Sequence, residues 1–460
     1  MQPAVSASGA LTYTPGPDAN GVATVSVWIH DNGGTANGGV DTSTVQTFTI
    51  TVVAVNDAPR GLTATPDTQT VQYSDPITSV VVTATDIDSA PSTLLASTSW
   101  KKSTDASFAS TQPLGGLTLS PTGSSSADPR EWTLSGRALV GQGSYTVRIT
   151  VSDDGDGTSY TDVTINVTKE DATLEYTGDT LKTTGSTSAT SSTTLALSAF
   201  VREAADGNIG SQLSATTVTF TLYKFTDSAM ATPVKSCTAT VVAGATSGTG
   251  TASCTVASVS ADNYIVKIVL NTNPFYTAPV ENSAVTVTIS GTGFTTGGGW
   301  LQEPNLGSKS NFGFTVKYLK NGNVQGNNVY ISRRSVGVNS VANPAGGFLP
   351  AGEYNWIIKS NAMTGLTQNC TPTTPKVCSA SFAGKANITA VHRTTGVAYS
   401  LGGNYQFQVD VTDKGEPGAS STTTPDTYAI RVWDGSGTYY QLGSATAQVA
   451  LNGGNIQVRP

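Results

Sequence analysis

Charge is what this 460-residue chain has least of: Lys, Arg, Asp and Glu together make up 12% of it, about half the roughly 25% usual in globular chains. Long amphipathic helices need Lys, Glu, Arg and Leu at a 3.6-residue period, and no stretch carries that period convincingly. An α/β nucleotide-binding enzyme is disfavoured on that ground. Histidine is scarcer still, at 2 residues. A Ser-His-Asp arrangement would need His30 or His392, and neither sits in a nucleophile motif. His30 follows Ile29 on the face opposite Val25 and Val27, so it is expected to be exposed. The 8 Glu are scattered singly, and Asp153 and Asp154, if extended, point to opposite faces, which gives a glycosidase pair little support. No apolar run approaches the roughly 20 residues of a membrane span, and Met1–Val5 is neither charged nor apolar enough for a leader. Any export signal is expected to lie outside the chain, which is expected to be no enzyme.

Ser, Thr, Gly, Ala and Val fill the gap, with β-branched residues alternating with polar ones throughout. The strongest internal signal is one strand written four times: Ala23–Asp31, Tyr145–Asp153, Tyr264–Thr272 and Tyr405–Asp413 align without gaps. Each is followed by a turn and a second alternating strand, at Thr47–Val53, Val163–Val167, Val285–Ile289 and Tyr428–Val432, so a terminal hairpin is expected to close each of four units. In three copies a Tyr opens the strand, at Tyr145, Tyr264 and Tyr405. That placement resembles the tyrosine corner of immunoglobulin-like sandwiches. Repeats of about 120 residues with many short strands predict an all-β chain of tandem immunoglobulin-like β-sandwiches in a linear array. The expected limits are 1–57, 58–168, 169–290 and 291–460. The first segment suffices for closing strands but not for a whole sandwich. Met1 is therefore expected to fall in mid-domain, the chain being the C-terminal piece of a longer protein, unless this unit borrows strands from a neighbour.

Leu11-Thr-Tyr-Thr-Pro15 with Asp18-Ala-Asn-Gly21, Asp31-Asn-Gly-Gly34 and Val55-Asn-Asp-Ala-Pro59 resemble the tandem cadherin-like and immunoglobulin-like repeats of large exported bacterial surface proteins of the adhesin type. Val71-Gln-Tyr-Ser-Asp75, Ala84-Thr-Asp-Ile-Asp88 and Tyr176-Thr-Gly-Asp179 resemble other immunoglobulin-like modules of such chains. Thr296-Gly-Gly-Gly-Trp300, Phe312-Gly-Phe314, Arg431-Val-Trp-Asp434 and Leu451-Asn-Gly-Gly-Asn-Ile456 are similar to a C-terminal β-rich module of secreted bacterial proteins. The resemblance implies architecture and an extracellular, secreted or cell-surface location, and it carries no shared catalytic motif.

The net charge of −7 is unevenly spread. By segment it runs −4, −5, −3 and then +5, and 16 of the 23 Asp precede residue 180. Sparse cations argue against nucleic acid as a partner. Most of these Asp are expected to be turn residues, but one pole of the second unit gathers Asp86, Asp88, Asp153, Asp154 and Asp156 with Asn56 and Asp57 of the preceding linker. Carboxylates forced together repel unless a cation lies between them, and hard oxygen ligands favour Ca²⁺. The family resemblance implies Ca²⁺ at such joints. The second joint offers only Glu170, Asp171 and Asp206, and the third shows no ligand set.

The four cysteines form two local pairs, Cys237 with Cys254 around a hairpin-sized stretch and Cys370 with Cys378 around a short loop. Close even pairing favours disulfides, and zinc is disfavoured because C-x-x-C spacing is missing and no His is near. Trp300, Trp356, Trp433, Tyr439 and Tyr440 are candidates for stacking on sugar rings, although aromatics in strands more often belong to cores. Trp433 adjoins the alternating row Tyr428, Ile430 and Val432 and so lies on the other face, and at most one of the two rows is buried. Gly297-Gly-Gly299 lacks the Lys-Ser/Thr of a phosphate loop and is expected to be a flexible strand lead-in. Three functions fit: a non-enzymatic adhesion stalk with a terminal module, an ancillary carbohydrate-binding segment of a secreted hydrolase, or a strand-exchanging subunit of an extracellular filament. Their partners would be other surface proteins, glycans or neighbouring subunits.

Overall fold

The computed structural model describes residues 3–6, 8–109, 114–227, 229–304, 306–372, 376–415 and 424–460. The chain falls into two compact units, one formed by Met1–Val71 with Asp75–Val167, the other by Gln72–Ser74 with Thr168–Pro460. Among the described residues helix is confined to three 3₁₀ turns of 3 residues each. The all-β expectation holds.

The first unit opens with β1 (Ala4–Val5) and β2 (Leu11–Thr12), which pair, and a hairpin of β3 (Gly21–Val27) and β4 (Gln46–Val52) in register from Gly21 opposite Val52 to Val27 opposite Gln46. The hairpin buries little, and Ile50 alone of its apolar residues is under a tenth exposed, at 8%. A two-sheet sandwich follows, built from β5 (Arg60–Thr65), β6 (Thr68–Gln72), β7 (Val80–Thr85), β8 (Leu95–Lys102), β9 (Leu117–Thr122), β10 (Arg130–Gly136), β11 (Gly143–Ser152) and β12 (Thr158–Thr168). One sheet runs β5-β7-β10-β9 and the other β6-β12-β11-β8. With β5 and β6 as the split first strand, this is the ABED and GFC order of the immunoglobulin fold. Alternation supplies the core: Val80, Val82 and Ala84 from one sheet face Val147, Ile149 and Val151 from the other, all buried.

In the second unit a sandwich of the same kind comprises β13 (Glu170–Tyr176), β14 (Leu181–Thr183), β15 (Ser192–Glu203), β16 (Thr217–Lys224), β17 (Pro233–Thr240), β18 (Val242–Ala243), β19 (Thr249–Ser260), β20 (Asp262–Leu270), β21 (Tyr276–Thr277) and β22 (Glu281–Thr288). Its sheets run β18-β19-β15-β13-β21 and β14-β22-β20-β16-β17. Every residue of β22 is buried, because one face lines the sandwich core and the other packs on the segment that follows.

That following segment departs from the expected row of sandwiches. It contains β23 (Phe294–Gln302), β24 (Lys309–Tyr318), β25 (Val324–Val336), β26 (Gly352–Cys370), β27 (Cys378–His392), β28 (Ala398–Asp413), β29 (Thr427–Asp434), β30 (Gly437–Leu442), β31 (Val449–Ala450) and β32 (Gly453–Arg459). They form one antiparallel sheet in the order β30-β29-β28-β27-β26-β25-β24-β23-β32, with β31 beside β29. The sheet curls: Asp413 and Asp426, near its far end, accept the amides of Val458 and Ile456 in β32 at 2.9 and 2.8 Å. The concave face is thereby a single core, with Phe312, Phe314, Tyr330, Phe382 and Tyr428 fully enclosed and the rings of Phe312 and Tyr428 stacked at 4.3 Å. Several outward residues, Val329, Ile331, Ile357 and Val391, pack on Ile265 and Ala284 of the neighbouring sandwich. The run Gly297-Gly298-Gly299 corrects an expectation, since it lies buried in mid-strand rather than in a flexible lead-in. A Cβ at Gly298 would sit 2.7 Å from the carbonyl carbon of Thr180, and one at Gly297 would meet the Phe314 ring. Glycine is at 298 because two backbones touch, and at 297 because a ring lies against the strand.

All four copies of the repeated strand pair with their expected partners, β3 with β4, β11 with β12, β20 with β22 and β28 with β29. In the last copy the hairpin is not terminal, because β30 to β32 continue the same sheet. The tyrosine corner is present at each expected position: the hydroxyls of Tyr145, Tyr264 and Tyr405 donate to the carbonyls of Gly141, Ser260 and Leu401, four residues back, at 2.6, 2.8 and 3.0 Å. A fourth was not anticipated, Tyr354 to Pro350 at 2.8 Å. Its Gly352-Glu-Tyr354 repeats the Gly-x-Tyr of Gly143-Ser-Tyr145, and that spacing is the signal that could have found it.

Candidate functional site

The pole that carries the acidic candidates is built around hydrogen bonds. Asp153 ends the run of β11 and enters the turn Asp153-Asp154-Gly155-Asp156-Gly157. Its Oδ1 accepts the amides of Gly155 and Gly157, both at 2.8 Å, and its Oδ2 accepts the side-chain amide of Asn56 at 3.0 Å. A Cβ at either Gly155 or Gly157 would lie within 2.9 Å of Asn56 Nδ2, so the glycines make the seat for the linker residue. Across the pole, Asp86 Oδ1 caps the turn after β7 by accepting from Asp88 N at 3.0 Å and Ser89 N at 2.9 Å. Asp88 Oδ2 accepts the amide of Asp57 at 3.0 Å, and Ser89 Oγ donates to Asp154 Oδ1 at 2.7 Å. Asp156 is exposed, with φ 67° in the left-handed region of the turn.

Two carboxyls here move in opposite directions. Burial pushes Asp86 up, against the amides of Ser89 and Asp88, whereas the amide of Asp57 holds its neighbour Asp88 down. For Asp153 burial acts upward, but Asn56, Gly157 and Gly155 together outweigh it and hold the carboxyl below its ordinary value. Among the described residues no three or more His, Cys, Asp or Glu are grouped to hold a metal ion. The donors are all oxygen, as a hard cation requires, and Asp86 Oδ2 is buried with no hydrogen-bond partner. The other bonded oxygens serve main-chain or side-chain donors, so the pole already ties the linker to the sandwich by itself.

The aromatic candidates divide. Tyr440 and Trp356 are buried, at 7% and 6% exposed, and Tyr439 stacks on Trp356 at 5.8 Å. Burial pushes the Tyr439 hydroxyl up to about 12, with Tyr405 adding to the shift and Arg334 opposing it. Trp300 is half-buried with Lys309 Nζ 4.3 Å from its ring centre. Trp300, Tyr439 and Tyr440 line one cavity. Trp433 does not line it: half-buried on the face opposite the enclosed Tyr428, Ile430 and Val432, it carries Arg431 over its ring at 5.1 Å. The same cavity holds residues that the sequence did not single out, above all Glu303 and Arg334. Adjacent Arg333 and Arg334 in a strand must face opposite ways, so one of them had to enter the concave side.

Both cysteine pairs are disulfides. Cys370 and Cys378 face each other directly in the β26–β27 hairpin. Cys237 and Cys254 instead lie in β17 and β19, strands of opposite sheets, so this half-buried bond staples the two sheets together at the edge strand β17 and closes no simple hairpin. His30 is exposed and bonded to Thr42 Oγ1 at 3.0 Å. His392 is buried, accepting the amides of Thr394 and Thr395 at Nδ1 and meeting the Tyr354 ring edge-on at 4.8 Å. Buried Glu281 receives both Arg333 and Arg393, which ties the sandwich to the curled sheet.

No protein-family model matches the chain, and no curated protein matches it. Among solved structures it is similar to the N-terminal Ig1-2 module of the Drosophila receptor protein tyrosine phosphatase DLAR, at 10% identity and TM-score 0.17 over 51% of this chain and 100% of that one. It is also similar to extracellular cadherin domains 1–5 of Protocadherin Gamma B2, at 13% identity and TM-score 0.25 over 90% of this chain and 68% of that one. The immunoglobulin-like description therefore stands on the strand order itself.

Proposed function

We propose that the chain is a non-enzymatic structural and adhesion segment working outside the cell, the stalk and terminal module of a bacterial surface protein, with domains at 1–57, 58–168, 169–290 and 291–460. The carrying observation is that all four cysteines are spent in two disulfides within a scaffold of strands. Such bonds persist in oxidising compartments. The bacterial and adhesin-type parts of the proposal are supported by the motif resemblance alone. Peptide mapping of the native protein without reductant tests it: both disulfides and a surface or secreted fraction are expected, and a reduced protein inside the cell would contradict it.

A Ca²⁺ ion at the pole of the first sandwich belongs to the same proposal, supported by the unsatisfied Asp86 Oδ2 among oxygen donors. Asp86, Asp88, Asp153, Asp154 and Asp156, with Asn56 and Asp57, would be its candidate ligands. Calorimetric melting with Ca²⁺ and with chelator tests this part, and identical curves remove the ion. A strand-exchanging subunit is a second proposal, favoured by the exposed Val22, Trp28, Ile29 and Val53 on the sparsely buried hairpin. Light scattering decides it, since a concentration-independent monomer rules it out.

A further inference from the structure

The cavity in the second compact unit measures about 1090 Å³, large enough for a ligand of several rings. Its cations are mostly neutralised by the protein itself: Lys309 Nζ is 2.9 Å from Glu175, and Arg333 and Arg393 both bind Glu281. Arg334 is different. It makes no ion pair among the described residues, its Nε is buried without a hydrogen-bond partner, and its guanidinium lies 4.4 Å from the centre of the Trp356 ring and 4.7 Å from that of Tyr440. Those rings hold the fork in place and leave its Nε donor unused among the described residues. Opposite in charge, Glu303 is 3% exposed and fixed by the hydroxyls of Ser310 and Tyr330, both of which donate to Oε1. Two further buried polar atoms lack partners nearby in the sheet, Ser332 Oγ and Trp356 Nε1, on residues 1% and 6% exposed that face each other across β25 and β26.

We infer that this cavity is a saccharide-binding site, with Arg334 and Glu303 reading vicinal hydroxyls and the rings of Trp300 and Tyr439 receiving the apolar faces of pyranose units. A fixed guanidinium donates to hydroxyl oxygens, a fixed carboxylate accepts hydroxyl protons, and an aromatic wall matches the C–H face of a sugar; such a few placed polar groups amid aromatic walls are what orient a ligand in a pocket. One unpaired guanidinium is too little for a polyphosphate or nucleic acid, whose binding draws on several free cations. The inference is independent of the stalk proposal, since the cavity either binds a sugar or does not whatever the rest of the chain carries.

The test is titration calorimetry of the full chain with oligosaccharides chosen from a glycan array, with neutral hexose oligomers and hexuronate oligomers as separate arms. Saturable binding in either arm is expected, and the arm that binds identifies whether Arg334 reads hydroxyls or a carboxylate. Arg334→Met should weaken it by at least about tenfold, and Gln441→Ala, at an exposed lining position, should weaken it without touching the core. Trp433→Ala, away from the cavity, should leave it unchanged. The inference is overturned if no saccharide binds up to about 10 mM, a free energy of under roughly 3 kcal/mol, if a peptide binds there instead, or if the Arg334 and Gln441 variants, shown folded by their melting, bind as well as the unchanged chain.

Discussion

Replacing Gly298 by Ala adds one methyl group at the place where the curled sheet meets the sandwich. That carbon would stand 2.7 Å from the carbonyl carbon of Thr180 and 3.2 Å from Leu181 N, where about 3.4–4 Å is ordinary contact. The Thr180 oxygen, nearer still, also accepts the amide of Thr286 at 2.9 Å. The Thr180 backbone must therefore retreat by about 1 Å and give up that bond, since Gly298 lies in mid-strand with β24 on one side and β32 on the other. Overpacking of this kind costs about 1–3 kcal/mol and the lost hydrogen bond about 1 kcal/mol, so roughly 3 kcal/mol in all. Hydrogen exchange of peptides spanning 281–288 reads this locally, and about 3 kcal/mol corresponds to exchange faster by roughly two orders of magnitude. Gly365→Ala in β26 is the control, because nothing lies within 4 Å of a Cβ there; it should be neutral or stabilise by less than about 1 kcal/mol. If Gly298→Ala exchanges like the unchanged chain, the glycine run is not a contact device and the description of this interface is wrong.

Tyr145→Phe, Tyr264→Phe, Tyr354→Phe and Tyr405→Phe should each cost about 1 kcal/mol in denaturant unfolding, the value of one lost hydroxyl-to-carbonyl bond. Replacing Cys237 and Cys254 together by Ser should cost about 3 kcal/mol, the loop-closure entropy for a separation of 17, and the Cys370/Cys378 pair about 2.5 kcal/mol for a separation of 8; calorimetry of both variants checks the order. Burial holds Lys359 down at about 8, only partly opposed by Asp227, against 10.5 unfolded. In that window the unfolded chain binds the extra proton, so this group's penalty is full below pH 8 and fades as pH rises, giving a gain of about 2 kcal/mol by pH 9.5. Lys359→Met should flatten that rise in melting curves taken from pH 7.5 to 9.5.

The repeated strand and its hairpin partner were legible because a period of 2 with a Tyr at its head is written in consecutive residues. The curl of the last sheet was not, since the same alternation serves a sandwich or a meander; what closes it is two carboxylates, Asp413 and Asp426, reaching β32 from more than 25 residues away in sequence. Gly297 to Gly299 read as a flexible strand lead-in for a similar reason: what demands glycine at 298 is the backbone of Thr180, over 100 residues earlier. The cysteines could be paired from proximity, but their sheets could not. Asp153 and its neighbours were found as a cluster, while their commitment to the amides of Gly155, Gly157 and Asp57 depends on turn geometry that composition does not reveal. The aromatic candidates gave three cavity residues, and Glu303 and Arg334 escaped because a single charge in a strand has no pattern.

Pulling single molecules by their ends, oxidised and then reduced, bears most directly on a segment that works under load outside the cell. Discrete sandwich-sized unfolding events are expected, with reduction lengthening one event by about 55 Å and another by about 25 Å as the stretches behind Cys237–Cys254 and Cys370–Cys378 are released. Smooth extension at low force, or events unchanged by reduction, would contradict the structural role proposed for this chain.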